Sequence, residues 1–144
     1  MKAEQLSIYV ENEPGRLAEV VAALAENNVN LRALSLADTK DFGFLRLITD
    51  RPEEAKKALS AKGFSAEVTE VLAVEVPDKP GGLSRILTAF AEAGLNVEYM
   101  YAFVGQLAGG GAVVIFRLND LDRAQAAIPA DAGRVIPKAE LYQH

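Results

Sequence analysis

Two short stretches hold the chain's best material for chemistry: Asn12-Glu13-Pro14-Gly15-Arg16-Leu17 and Asp78-Lys79-Pro80-Gly81-Gly82-Leu83. In each, Pro-Gly stands just ahead of an apolar periodic run, where the first backbone N–H groups of a helix lack partners. Such groups, aided by the helix dipole, form a natural carboxylate site. Pro presets the first turn, and Gly removes the Cβ that would obstruct a close ligand. Asn30 and Asn96 follow at the start of the next strand, where a side-chain amide can accept from an ammonium or donate to a carboxylate. Together the two sets are expected to grip the α-amino-acid end of a small molecule. The same residues also suit a purely structural turn, since Pro-Gly is common at helix starts and Asn at strand starts. Their repetition does not separate the two readings.

Other chemistry is scarce. The only histidine is His144, so no Ser-His-Asp arrangement is available, and the absence of cysteine excludes disulfides and thiolate metal sites. The glycine-rich stretch Gly105–Gly111 reads as a strand-strand turn, not a phosphate cradle, because no helix follows it. Glu53-Glu54 and Lys56-Lys57 read as a solvated helix face. No catalytic residue, metal or cofactor is expected. The net charge of −5 and the lack of a basic run argue against nucleic acid. Neither a signal-peptide pattern nor a membrane-length apolar run is present, so a cytoplasmic protein with no membrane partner is expected.

The elements that must position these stretches come in duplicate. Pro14, Gly15, Leu17, Ala25, Glu26 and Asn30 match Pro80, Gly81, Leu83, Ala91, Glu92 and Asn96 at one constant offset. A repeat of that length predicts two copies of one small fold, residues 1–70 and 71–144. In the first, alternation over Leu6–Val10 predicts a strand. Leu17, Val20, Val21 and Leu24 then trace one helix stripe, ended at Asn27-Asn28. Strands Val29–Ala37 and Gly43–Thr49 flank a turn at Asp38–Phe42. A short helix follows, with Asp50 as its N-cap, Pro52 in its first turn and Ala55, Ala58 and Leu59 inward, then a strand at Ser65–Thr69. The second copy has strands Val71–Val76, Leu95–Val104, Ala112–Leu118 and Arg134–Leu141, and helices Leu83–Ala93 and Leu121–Ile128. The predicted class is α+β: two ferredoxin-like βαββαβ units in tandem, antiparallel sheets with helices on one face, packed side by side.

Strand parity assigns Tyr9, Leu34, Leu36, Phe44 and Ile48 to the outer sheet face of the first copy, and Met100, Val114 and Phe116 to that of the second. So apolar a face predicts self-association into a homodimer through it.

The run Tyr9–Leu17 followed by Val29-Asn30-Leu31 resembles the ACT domain, the regulatory amino-acid-binding module, and is particularly similar to the acetolactate synthase small subunit. Pro80-Gly81-Gly82-Leu83 and Gly94-Leu95-Asn96-Val97 repeat the likeness, and Asp41–Ile48 looks like the third strand of stand-alone tandem ACT proteins. Two departures are Asp78 in place of Asn12 and Asn28 in place of Gly94, which implies unequal sites. The resemblance implies a non-catalytic sensor binding a free amino acid where one unit's first loop faces its neighbour. Site residues carried over are Asn12, Glu13, Pro14, Gly15, Arg16, Leu17 and Asn30, with Asp78, Lys79, Pro80, Gly81, Gly82, Leu83 and Asn96. Such a sensor would act in trans on an enzyme of amino-acid metabolism. The rival reading is a regulatory subunit docked permanently on a biosynthetic enzyme such as acetolactate synthase, its ligand site vestigial. Branched-chain ligands follow from the likeness, while Tyr99, Tyr101 and Phe103 leave aromatic ones or histidine open.

Overall fold

A computed structural model of the chain describes residues 2–38, 41–102 and 111–143. The predicted glycine-rich tip up to residue 110, Phe103, His144 and the middle of the turn after Asp38 lie outside the described residues. The chain forms two compact units, Glu4–Thr69 and Glu70–His144, the latter together with Met1–Ala3.

The N-terminal unit runs β1 (Ala3–Glu11), α1 (Arg16–Glu26), β2 (Leu31–Asp38), β3 (Phe42–Thr49), α2 (Pro52–Ala61) and the first residues of β4 (Ala66–Val76). Its strand order is β2-β3-β1-β4, with β3 antiparallel to both β1 and β2, the split βαβ arrangement. Alternate residues of β1 (Leu6, Ile8, Val10) and β3 (Leu45, Leu47) share one core with Val20, Ala23 and Leu24 of α1 and Ala55 and Leu59 of α2. Both helices therefore cover the same sheet face. Asn28 adopts φ 58°, the left-handed turn that ends α1, as Gly94 does at φ 73° after the second copy's helix.

The C-terminal unit continues along β4 into α3 (Gly82–Glu92), β5 (Val97–Ala102), β6 (Ala112–Leu118), α4 (Leu121–Ala127), β7 (Arg134–Val135) and α5 (Lys138–Gln143). β6 pairs antiparallel with β4 and β5. Leu72, Val74 and Val76 join Ile86, Phe90, Phe116 and Leu121 in its core, with the Phe90 and Phe116 rings edge-on at 5.3 Å. No helix among the described residues is long and apolar enough to cross a membrane.

Three expectations are corrected. The strand expected over Arg134–Leu141 shrinks to Arg134–Val135 and gives way to α5. Pro137 stands just ahead of α5, and Ala, Glu, Leu and Gln after it favour helix. The N-cap of α2 is Arg51, not Asp50. Pro52 keeps Arg51 out of the helical region, at φ −141° and ψ 74°, and the Asp50 carboxylate instead accepts from the Asn30 backbone N–H at 3.2 Å.

The third correction is to the outer face. A register shift between Leu31 and Ala33 exchanges the two sides of β2. Leu34 then pairs with Leu47 and Leu36 with Leu45, so both leucines lie on the helix side, at the sheet edge. Met100 pairs with Phe116, which with Val114 belongs to the helix-side core, and Ile48 is fully buried. Of the apolar face expected, Tyr9 and Phe44 keep that side and are exposed, meeting Phe42, the Tyr9 ring lying 4.6 Å from Phe42 and 5.3 Å from Phe44, while Leu34, Leu36 and Met100 are exposed on the helix side.

Candidate functional site

Each copy builds its first helix start on a left-handed glycine, Gly15 or Gly81, both at φ 88°. Three backbone hydrogen bonds shape the N-terminal turn: Glu13 N–H to Glu11 C=O, Arg16 N–H to Glu13 C=O, and Glu19 N–H to Gly15 C=O. The C-terminal turn repeats all three, from Lys79 to Pro77, Gly82 to Lys79 and Arg85 to Gly81. Glycine at the N-cap supplies no side-chain oxygen, so the first-turn amides of Leu17 and Ala18, and of Leu83 and Ser84, have no side-chain cap. Those amides are the partners a carboxylate would take.

Beside the first turn lies a cavity of about 160 Å³ lined by Val10, Glu11, Asn12, Glu13, Leu17, Leu36 and Gly43. It is smaller than the roughly 300–1,000 Å³ of drug-sized sites, so it suits a small metabolite. Val10, Leu17 and Leu36 give it an apolar wall. Gly43 faces Val10 across the strands, and a Cβ there would stand 3.2 Å from Leu36 Cδ1, so glycine leaves room for that leucine. Asn12 N–H donates to Asp41 C=O at 3.0 Å and pins the loop to the start of β3.

The turn's charge is acidic. Arg16 reaches Glu19 at 3.2 Å, Glu11 at 3.6 Å and Glu13 at 4.0 Å. The hydrogen bond to Glu19, then the field of Glu11, raise the guanidinium pKa above its ordinary value. Three carboxylates around one guanidinium leave an excess of negative charge, which favours an ammonium group next to amides that favour a carboxylate. A zwitterion satisfies both.

The second turn opens on a different cavity, of about 230 Å³, whose walls include Lys79, Pro80, Gly81, Gly82, Arg85 and Asp131. Arg85 is tied to Asp131, Nη2 to Oδ1 at 3.1 Å, with Nη1 donating to the Asp131 carbonyl at 3.3 Å. Ala112 faces Val76 where Gly43 faces Val10 in the first copy.

Asn12, Glu13 and Leu17 thus reach the first cavity wall, with Pro14, Gly15 and Arg16 forming the turn beside it. Lys79, Pro80, Gly81 and Gly82 reach the second, whereas Asp78 and Leu83 do not line it. Asn30 and Asn96, expected to act together with these turns, are placed apart from them within each unit. β1 and β2 run in the same direction with α1 returning between them, so Asn30 precedes β2 at the sheet end opposite Asn12. The 11 residues of α1 separate the two ends by roughly 16 Å at 1.5 Å per residue. Asn96 sits likewise, its N–H donating to Asn119 Oδ1 at 3.0 Å as Asn30 N–H does to Asp50.

Sequence reasoning missed Val10, Glu11, Leu36 and Gly43 in the first copy and Arg85 and Asp131 in the second. A glycine inside an otherwise apolar strand was the available signal for Gly43. Asp131, on a loop far along the chain, left none.

The family model of the ACT domain pair matches residues 1–143. A crystal structure of the protein BT0572 from Bacteroides thetaiotaomicron is 36% identical, with a TM-score of 0.90, covering 100% of this chain and 98% of that one. The ligand-free regulatory subunit of aspartate kinase from Thermus thermophilus is 19% identical, with a TM-score of 0.62 over 97% of this chain and 91% of that one. The corresponding subunit from Thermus flavus is 17% identical, with a TM-score of 0.63 over 99% and 92%. At that identity the two kinase subunits speak for the fold alone. No curated protein matches. A match over nearly the whole length, onto a twice-built βαββαβ unit, means that the chain belongs to the ACT domain pair family.

Proposed function

We propose that this protein is a non-catalytic sensor of a free amino acid, bound at the first helix start of its N-terminal unit. The observation that carries the reading is the meeting, in one small cavity, of Glu11, Asn12 and Glu13 with the apolar wall of Val10, Leu17 and Leu36, next to uncapped amides. The carboxylate of the ligand takes the first-turn amides, its ammonium the acidic rim, and its side chain the apolar wall. That wall favours an aliphatic side chain, and the acidic excess disfavours Asp and Glu as ligands. The turn at Asp78–Leu83 is a second, chemically different site for the same kind of ligand. Occupancy would be read by an enzyme of amino-acid metabolism in trans, limited by the ligand's differential affinity for the protein's states.

A thermal-shift screen over the twenty common amino acids tests this, because a binder raises the melting temperature by mass action. Calorimetry on the hit with Asn12→Ala should show affinity weakened by about 1–3 kcal/mol, the cost of one lost polar partner. A screen without a single shift, or an unchanged affinity in that variant, overturns the site.

The exposed Tyr9, Phe42 and Phe44 cluster favours a protein partner as well. A homodimer seated there should fall to monomer on Phe44→Glu in light scattering. A wild-type monomer would leave the docked regulatory subunit as the better account of that patch.

A further inference from the structure

The C-terminal unit holds a cavity that the amino-acid reading does not use. It is about 280 Å³ and is lined by Glu75 and Val76 at the end of β4, Gly111 at the start of β6, and the loop from Ala130 to Arg134. Glu75 is its distinctive wall. One carboxylate oxygen, Oε1, accepts from Arg134 Nε at 3.3 Å. The other, Oε2, is buried and has no hydrogen-bond partner among the described residues. A carboxylate carries several acceptor positions and is normally surrounded by donors when it leaves water, so a buried oxygen facing a cavity can accept from a ligand donor.

The neighbouring guanidinium does not fill it. Arg134 is shared with Glu140, Nη2 to Oε2 at 2.8 Å and Nη1 to Oε1 at 3.4 Å, the bidentate geometry that fixes its plane. Glu75 and Glu140 therefore divide one positive charge between two carboxylates. Asp131, the other acid on the wall, is held by Arg85. Arg134 thus gives Glu75 a single hydrogen bond, to Oε1, and leaves Oε2 open to a donor from the cavity.

Space at Oε2 depends on glycine. A Cβ added at Gly111 would stand 2.8 Å from Glu75 Cγ and 3.2 Å from Oε2. Any larger residue there would press on the carboxylate and take the room a ligand needs.

We infer that this cavity binds a small organic cation with N–H donors, a primary ammonium group hydrogen-bonded to Glu75 Oε2. The site is separate from the cavity walled by Val10, Leu17 and Leu36 and stands whether or not that one binds an amino acid.

The test is calorimetric titration of the full chain with ethylammonium chloride, beside tetramethylammonium chloride at equal ionic strength. Ethylammonium should bind saturably, and tetramethylammonium, which has the charge without the N–H groups, should not. Glu75→Gln and Gly111→Ala should each weaken ethylammonium about tenfold or more, as expected when a charge-assisted hydrogen bond is lost. Gly111→Ala leaves the Glu75 charge in place, so it separates loss of the site from disturbance of Arg134; melting curves report whether each variant is folded. Absence of saturable binding, equal binding of both cations, or wild-type affinity in a folded variant overturns the inference. So does a crystal grown with ethylammonium in which Oε2 is met by water alone.

Discussion

The two Pro-Gly turns share a backbone and differ in charge. The same three hydrogen bonds and the same left-handed glycine recur at equivalent places. On that common frame Glu13 becomes Lys79, Glu19 becomes Arg85, Glu11 becomes Pro77, and Arg16 loses its side chain as Gly82. The frame is what any strand must do to feed a helix in this fold, so its repetition reports architecture. The side chains are free of that duty, and they change sign. The proposed function therefore turns on where the copies differ: acidic side chains rim the first cavity, while Lys79 and Arg85 stand at the second.

The largest expected effect comes from giving Gly82 a side chain. Its Cβ would fall 2.2 Å from the Pro77 carbonyl oxygen, a backbone atom that cannot step aside. Gly82→Ala should cost about 3 kcal/mol, the upper range for an overpacked site. Arg16→Ala, at the equivalent position, should leave the fold close to wild type. Urea unfolding gives the size, and hydrogen exchange should localise the first loss to the C-terminal unit. Equal losses in the two variants would mean that the turns are interchangeable after all.

Gly15→Ala and Gly81→Ala sharpen the shared half of the comparison. Both glycines sit at φ 88° with nothing within 4 Å of an added Cβ, so only backbone strain opposes alanine. Each variant should lose about 1–2 kcal/mol, the left-handed penalty for a residue with a Cβ. Unequal losses would reveal a contact at one turn that the other lacks.

Exchanging the charges attacks the unshared half. Glu13→Lys should weaken an amino acid bound in the first cavity by about threefold to tenfold, the yield of a solvent-screened charge, and the loss should shrink in high salt. Lys79→Glu should leave that affinity unchanged. If both variants bind like wild type, the charge reversal has no bearing on the ligand.

Repetition and periodicity made most of this fold legible. Pro-Gly with Leu17, Val20 and Leu24 placed α1, and the strands expected at Ser65–Thr69 and Val71–Val76 are the two parts of the single β4, Ala66–Val76. Besides the helix at Lys138–Gln143 and the cap at Arg51, what failed depended on where strands meet. One extra residue between Leu31 and Ala33 moved Leu34 and Leu36 to the helix side, and no local pattern marks such a shift. The site was legible as a turn but not as a cavity, because Leu36 and Gly43 reach Val10 only through register. Asn30 misled for the converse reason: its repeat partner Asn96 is real, but chain proximity to α1 says nothing about which end of the helix a residue occupies.

The smallest expected effect concerns how the two units hold charge across pH. In the C-terminal unit Lys2 Nζ lies 2.8 Å from Asp122 Oδ1. The hydrogen bond from Lys2, and then its field, hold the Asp122 carboxyl below its ordinary value of 3.8, and the same bond raises Lys2 above 10.5. A lowered carboxyl pKa contributes stability above the unfolded value that is lost as pH falls through the folded one. A raised amine pKa contributes stability below 10.5 that is lost as pH rises through its folded value. The pair therefore supports a plateau with two edges, small because Asp122 is open to solvent. Arg16, by contrast, keeps its charge throughout the accessible range, so its network in the N-terminal unit has no alkaline edge. Melting temperature against pH should show Asp122→Asn slightly below wild type at neutrality and converging with it at both extremes. Arg16→Gln should show no convergence on the alkaline side. A difference for Asp122→Asn that stays constant from acid to alkali would separate the pair from proton linkage and leave only a packing effect.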